Sequence, residues 1–466
     1  MSPYCRWSRA TVFLCCLCSM LGSASIGFCG PDREPNVATY TNPILSKDQG
    51  GGADPAVILY KDTYYFYSTN AGLNVFTSSD LVHWKKGPQV LPDEFKGVWA
   101  PEVYHHGEDG KFYMYYTRRY KIGVAVADRP DGMFKDLGLL AINGIDAHLF
   151  RDDDGRLYLY FTHTPSFTMY CVPMKGPAET GGPVTKCFAI SQDWEKHSFP
   201  INEGPWMMKH DGVYYLLYSG SNAQSIYYAV GYATAPTPIG PFTKHAGNPV
   251  FQDLKKVLGP GHGSVTRDRA GGLWHLYHQK VDAKEGWARD ICLDPVSFDE
   301  RGVFGGIPTR GIAQPVPVCD PALVWSPDIH PRGAVFNRPL AVSLTSHTAD
   351  AEIRYTLDGT EPGPSSPLYE KPLALSKSLT VKARAFKQGM KTSTISSMRF
   401  VQTGERLPGN PSPNAAPGDP PFEVFPKPEL NWQPPAKTNP STASQPAGKQ
   451  AGATASSRPT TAPDAK

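Results

Sequence analysis

The sequence is poor in charge, and 19% of its 466 residues are Asp, Glu, Lys or Arg. Basic side chains number 46 and acidic ones 43, a formal net charge of +3. With no long Lys/Arg run, it offers no electrostatic footprint for nucleic acid. Cysteine is scarce after the N-terminus. Five of the nine precede position 30, leaving Cys171, Cys187, Cys292 and Cys319. Those four form no CxxC pair and no cluster with histidine, which argues against structural zinc. Cys171 and Cys187 flank a Gly/Pro-rich loop. Either a disulfide or two buried thiols fits them.

Long apolar runs are also scarce. One, Ala10 to Leu21, follows Arg6 and Arg9 and precedes Gly22-Ser23-Ala24-Ser25. That order reads as a signal peptide over 1–25, and the run is short for a membrane span. Secretion or release into a periplasm is expected. Cys29-Gly30 would suit a lipid anchor, but Ile26-Gly27-Phe28 before it is a poor lipobox.

What is present is a repeat. Aromatic runs begin at Tyr64, Phe112, Leu157, Val213 and Leu273. A turn rich in Asp or Gly precedes each, giving a strand–turn–strand signature. Ten or eleven residues before each run stands a polar anchor: Asp54, Glu102, Asp146, Glu203 and His262. Repeats of this size with several strands each are propeller blades. The expectation is an all-β fold, a five-bladed β-propeller over 40–318. Residues 320–402 alternate in period 2 and read as a small β-sandwich. Residues 403–466, rich in Pro, Ala, Ser and Thr, read as a disordered tail.

First strands line a propeller's axis, so the five anchors converge. Carboxylates forced together repel unless they have counter-ions or a task. One such task is glycoside hydrolysis, which needs one protonated carboxyl and one ionised across the scissile bond.

The segments that begin the blades carry a resemblance. Asp54-Pro55-Ala56-Val57, Val98-Trp99-Ala100-Pro101-Glu102, Ile145-Asp146-Ala147-His148, Asn202-Glu203-Gly204-Pro205 and Gly259-Pro260-Gly261-His262-Gly263-Ser264 resemble glycoside hydrolase family 43. The resemblance implies inverting hydrolysis of an oligo- or polysaccharide, mostly arabinofuranosides and β-xylosides, with no required cofactor. It makes Asp54 the general base, Glu203 the general acid and Asp146 the modulator of the acid's pKa. It places His262 beside a metal ion such as calcium, or a water, and makes Arg289 a sugar-holding residue. Trp99 is a sugar platform or blade packing; Glu102 is a substrate contact or a channel-lining ion pair. Asp152-Asp153-Asp154 reads as a solvated turn. Ile353 to Pro362 and Val381 to Phe386 resemble a chitobiase C-terminal module, a spacer or a polysaccharide binder. Two rivals remain: a non-catalytic binding propeller, and a propeller hydrolase of another sugar such as a galactoside or fructan.

Overall fold

A computed structural model describes residues 38–69, 74–284 and 286–403. The expected leader over 1–25 lies outside the described residues, as does the tail from 404 onward. Aromatic and β-branched residues favour a pleated backbone packed on both faces. Each aromatic run accordingly forms the second strand of a four-stranded antiparallel unit. The first-strand/second-strand pairs are Ala53–Tyr60 with Thr63–Thr69, Trp99–His106 with Lys111–Arg118, Asn202–His210 with Val213–Gly220, and Gly261–Arg267 with Leu273–Lys280. In blade 3, Leu157–His163 pairs with the second half of Lys135–Arg151. The first half of that 17-residue strand is the outer edge of blade 2. The chain passes from one blade to the next there with no loop.

Hydrophobic clusters fill the seams between blades. Tyr67 and Val75 of blade 1 meet Val103 and Met114 of blade 2. Tyr215 and Leu217 of blade 4 meet Val265 and Tyr277 of blade 5. Phe66 and Phe76 of blade 1 meet Leu276 and Ile291 of blade 5. Burying one such Phe stabilises by roughly 1.5–3 kcal/mol, so these seams are the main glue. The inner strands of blades 5 and 1 also touch. Thr39–Tyr40 pairs with Gln314–Pro315, tying the start of the domain to its end.

The sandwich packs a three-stranded sheet against a four-stranded one. Val342, Ile353, Val381, Ala383 and Phe400 form its core. It is docked on the propeller at the hairpin turns where the inner strands end. Trp325 Nε1 donates to Asp62 Oδ1, and Arg267 pairs with Asp328. Arg332 N donates to Asp153 Oδ2 at 3.2 Å, and Arg399 N to Asp211 Oδ1 at 3.3 Å. The anchors lie at the opposite ends of those strands, so the module leaves their rim clear.

Asp152 is buried, accepting from Lys209 at 3.2 Å and Tyr214 at 2.7 Å, and Asp153 pairs with Lys209 at 2.7 Å. The Asp152–Asp154 turn is therefore not simply solvated; it ties blade 3 to blade 4 and to the sandwich. Cys171 and Cys187 are free thiols, as are Cys292 and Cys319.

Candidate active site

A β-bulge interrupts first-strand pairing at the same depth in every blade. The first bulged residues are Asp54, Ala100, Asp146, Gly204 and His262, with φ of 53°, 43°, 58°, 60° and 39°. This left-handed backbone costs a non-glycine residue on the order of 1–3 kcal/mol. Such bulges re-aim side chains, and they recur beside active sites. Here they turn Asp54, Asp146 and His262 toward the axis.

A ring of second-strand residues latches these bulges from blade to blade. Thr69 Oγ1 accepts the Ala100 N–H at 2.8 Å, and Thr117 Oγ1 the Asp146 N–H at 2.9 Å. Ser219 Oγ accepts the His262 N–H at 2.8 Å, and His278 Nδ1 the Asp54 N–H at 3.2 Å. Thr162 instead donates to Asn202 O at 3.2 Å.

The anchors are therefore not all equivalent. Asp54, Asp146 and His262 share one position. Glu203 stands one residue before it in blade 4, and Glu102 two residues after it in blade 2. Glu102 lies deeper, bonded to His148 Nδ1 at 2.7 Å and to the Leu149 N–H at 3.2 Å. Burial raises its pKa despite His148. All five anchors except Glu203 line one cavity, together with Trp206.

The carboxyls that meet here have opposite surroundings. Burial pushes Asp54 up, but Arg289, His262 and His278 outweigh it and hold it well below the usual range. Its Oδ1 lies 3.1 Å from Arg289 Nη1 and 3.3 Å from both His262 Nδ1 and His278 Nδ1; its Oδ2 accepts from Thr69 at 2.7 Å. His278 is pushed down to about 3 by burial and then by Arg289. Glu203 is raised to about 7, by burial first and the Asp54 charge second, against a 2.7 Å hydrogen bond from Tyr228. Asp146 is raised well above its normal value by burial, then by Glu203 and Asp54. Glu203 and Asp146 thus titrate as a pair that keeps a proton near neutral pH.

The rest of the expected set divides. Arg289 reaches Asp54, and its guanidinium lies 5.3 Å from the ring of Trp287, which is 64% exposed. Trp99 is half-exposed beside the bulge, edge-on to Tyr120 at 5.4 Å. His262 Nδ1 faces Asp54 and Asp146, at 3.3 and 3.8 Å. Among the described residues no three His, Cys, Asp or Glu side chains are grouped to hold a metal ion. The side chains at His262 therefore do not by themselves make the calcium site that the resemblance implies. Thr69, Tyr228 and His278 belong to the site although no motif marks them.

Gly204 has a structural reason. A Cβ there would lie 2.8 Å from two His262 ring atoms, on a backbone with φ of 60°. Gly204→Ala should therefore displace Glu203 and His262. We expect at least a tenfold loss of kcat and a lowered Tm, read by kinetics and a thermal melt.

One carboxyl held ionised beside a pair that keeps a proton is the combination glycoside hydrolysis needs. Glycosyl hydrolases family 43 matches residues 40–304, and the chain belongs to that family; it is a glycoside hydrolase. A chitobiase/beta-hexosaminidase C-terminal domain matches residues 331–397. The chain is 28% identical to a beta-D-galactofuranosidase of Aspergillus niger over 56% of this chain and 83% of that one. It is 28% identical to an extracellular exo-alpha-(1->5)-L-arabinofuranosidase of Streptomyces chartreusis, over 50% and 79%. A thermostable family-43 glycoside hydrolase superposes with a TM-score of 0.55 at 34% identity, covering 60% of this chain and 99% of that one.

Proposed function

We propose that the enzyme removes pentose units, α-L-arabinofuranose or β-D-xylose, from side chains or ends of plant-type polysaccharides, inverting the anomeric centre. The observation that carries this reading is the split between Asp54 and the Glu203–Asp146 pair. Asp54, ionised throughout the neutral range, takes a proton from water as the water attacks the anomeric carbon. Glu203 gives its proton to the leaving oxygen as the glycosidic bond breaks. Asp146 stops both members of its pair from ionising and, through the 3.3 Å bond from Gly204 N, fixes the backbone beside Glu203. Arg289 and Trp287 hold the sugar against Asp54. Inverting enzymes leave roughly 6.5–9.5 Å between their two carboxyls for this water. We also place the enzyme outside the cytoplasm, on the basic, apolar and small residues before position 26.

The pentose assignment rests on relatives named as arabinofuranosidases and xylosidases. A galactofuranosidase is the second reading, because the A. niger relative bears that name. Nitrophenyl α-L-arabinofuranoside, β-D-xyloside and β-D-galactofuranoside separate the two. Turnover of one pentoside supports the proposal. Turnover of the galactofuranoside alone transfers it to the second reading, and binding of arabinan or xylan with no turnover at all contradicts both.

A further inference from the structure

The rim that carries the carboxyls opens a second cavity between blades 2 and 3. Its volume is about 340 Å³, near the lower end of the roughly 300–1,000 Å³ of small-molecule sites. Tyr120, Lys121, Arg119, Asn143 and Phe167 line it. Tyr120 is 51% exposed and meets Trp99 edge-on, so an aromatic wall runs from the bulge of blade 2 into the cavity. Sugar rings pack their C–H faces on such walls.

The charge there is of one sign. Arg119 and Lys121 are exposed on either side of Tyr120, and among the described residues neither forms an ion pair. Arg118, next in line, lies on the Phe95 ring and donates to Glu94 O at 3.2 Å. Solvated cations flanking an exposed aromatic ring match a sugar that carries a carboxylate.

Backbone hydrogen bonds tie the cavity's lining to the strands that carry the acid pair. Phe167 O accepts the N–H of Asn202, the neighbour of Glu203, at 3.0 Å. Tyr120 O accepts the N–H of Gly144, two residues before Asp146, at 2.9 Å. Asp54 stands on blade 1, outside the cavity wall. A sugar whose oxygen Glu203 protonates departs on that acid's side.

We propose that this groove binds the leaving part of an acidic polysaccharide, with Tyr120 under a sugar ring and Arg119 and Lys121 paired to a uronic acid carboxylate. The inference deepens the hydrolase reading and rests on it for the direction of departure. The test uses a pentose oligosaccharide bearing one uronic acid, beside the same molecule with the carboxyl reduced to an alcohol. Wild type should show a kcat/KM for the acidic form roughly tenfold above that for the reduced form, a size two exposed ion pairs supply. The preference should shrink with added salt. Arg119→Ala/Lys121→Ala should bring the ratio within about twofold of unity. A wild type without preference, or a double variant that keeps it, overturns the proposal. Should wild type cleave neither molecule, the pentose reading fails and calorimetry on Glu203→Gln decides the groove. Tighter binding of the acidic form, abolished by the double substitution, supports the groove; equal binding of both forms overturns it.

Discussion

Asp54→Asn should lower kcat by about 10³–10⁴, the upper range for loss of a general base, and by the same factor whatever the leaving group. In the proposed mechanism Asp54 acts on the water alone, so an easier departure does not compensate. The pH profile gives a second readout. Because Arg289, His262 and His278 hold Asp54 well below the usual carboxylate range, wild-type kcat/KM should be flat through mild acid. It should fall only once the pH drops far enough to protonate Asp54. A variant that loses Arg289, such as Arg289→Met, removes the largest lowering influence. Its acidic limb should move to higher pH. Initial rates on 4-nitrophenyl and 2,4-dinitrophenyl pentosides, with a melt to verify folding, check both statements.

Glu203→Gln should behave differently. On 4-nitrophenyl or oligosaccharide substrates kcat should fall by about 10²–10⁴. On the dinitrophenyl pentoside, whose phenolate leaves without a proton, the fall should be under about tenfold. The wild-type alkaline limb should have an apparent pKa near 7, since burial and the Asp54 charge raise Glu203 to about 7 and the acid form is lost above it. That value belongs to the Glu203–Asp146 pair, and the limb should vanish in Glu203→Gln. An equal loss on both leaving groups would remove Glu203 from the acid's role.

The blades were legible because a propeller writes the same strand order five times. Asp54, Asp146 and His262 were legible because charge or a ring coincides with the bulge. Charge misleads in the other two blades. There the bulge falls on Ala100 and Gly204, residues with no polar marker, and Glu102 and Glu203 stand off register. The equivalent positions are separated by 46, 46, 58 and 58 residues, more regularly than the charged anchors. The latch is also written in the sequence. Thr69, Thr117, Thr162, Ser219 and His278 each follow Tyr64, Phe112, Leu157, Tyr214 or Leu273 by five residues. A threonine inside a strand is an ordinary strand former, so that recurrence is quiet. The docking of the sandwich had no local signal. Asp62, Asp153 and Asp211 look like any turn aspartates until Trp325, Arg332 and Arg399 arrive from the other domain.

Proton NMR of the first-formed sugar tests single displacement by water between Asp54 and Glu203 most directly. With an α-L-arabinofuranoside or a β-D-xyloside, the product should appear first as the opposite anomer and then mutarotate. Release of the sugar with its original configuration would contradict it, and would make one of these carboxylates a nucleophile.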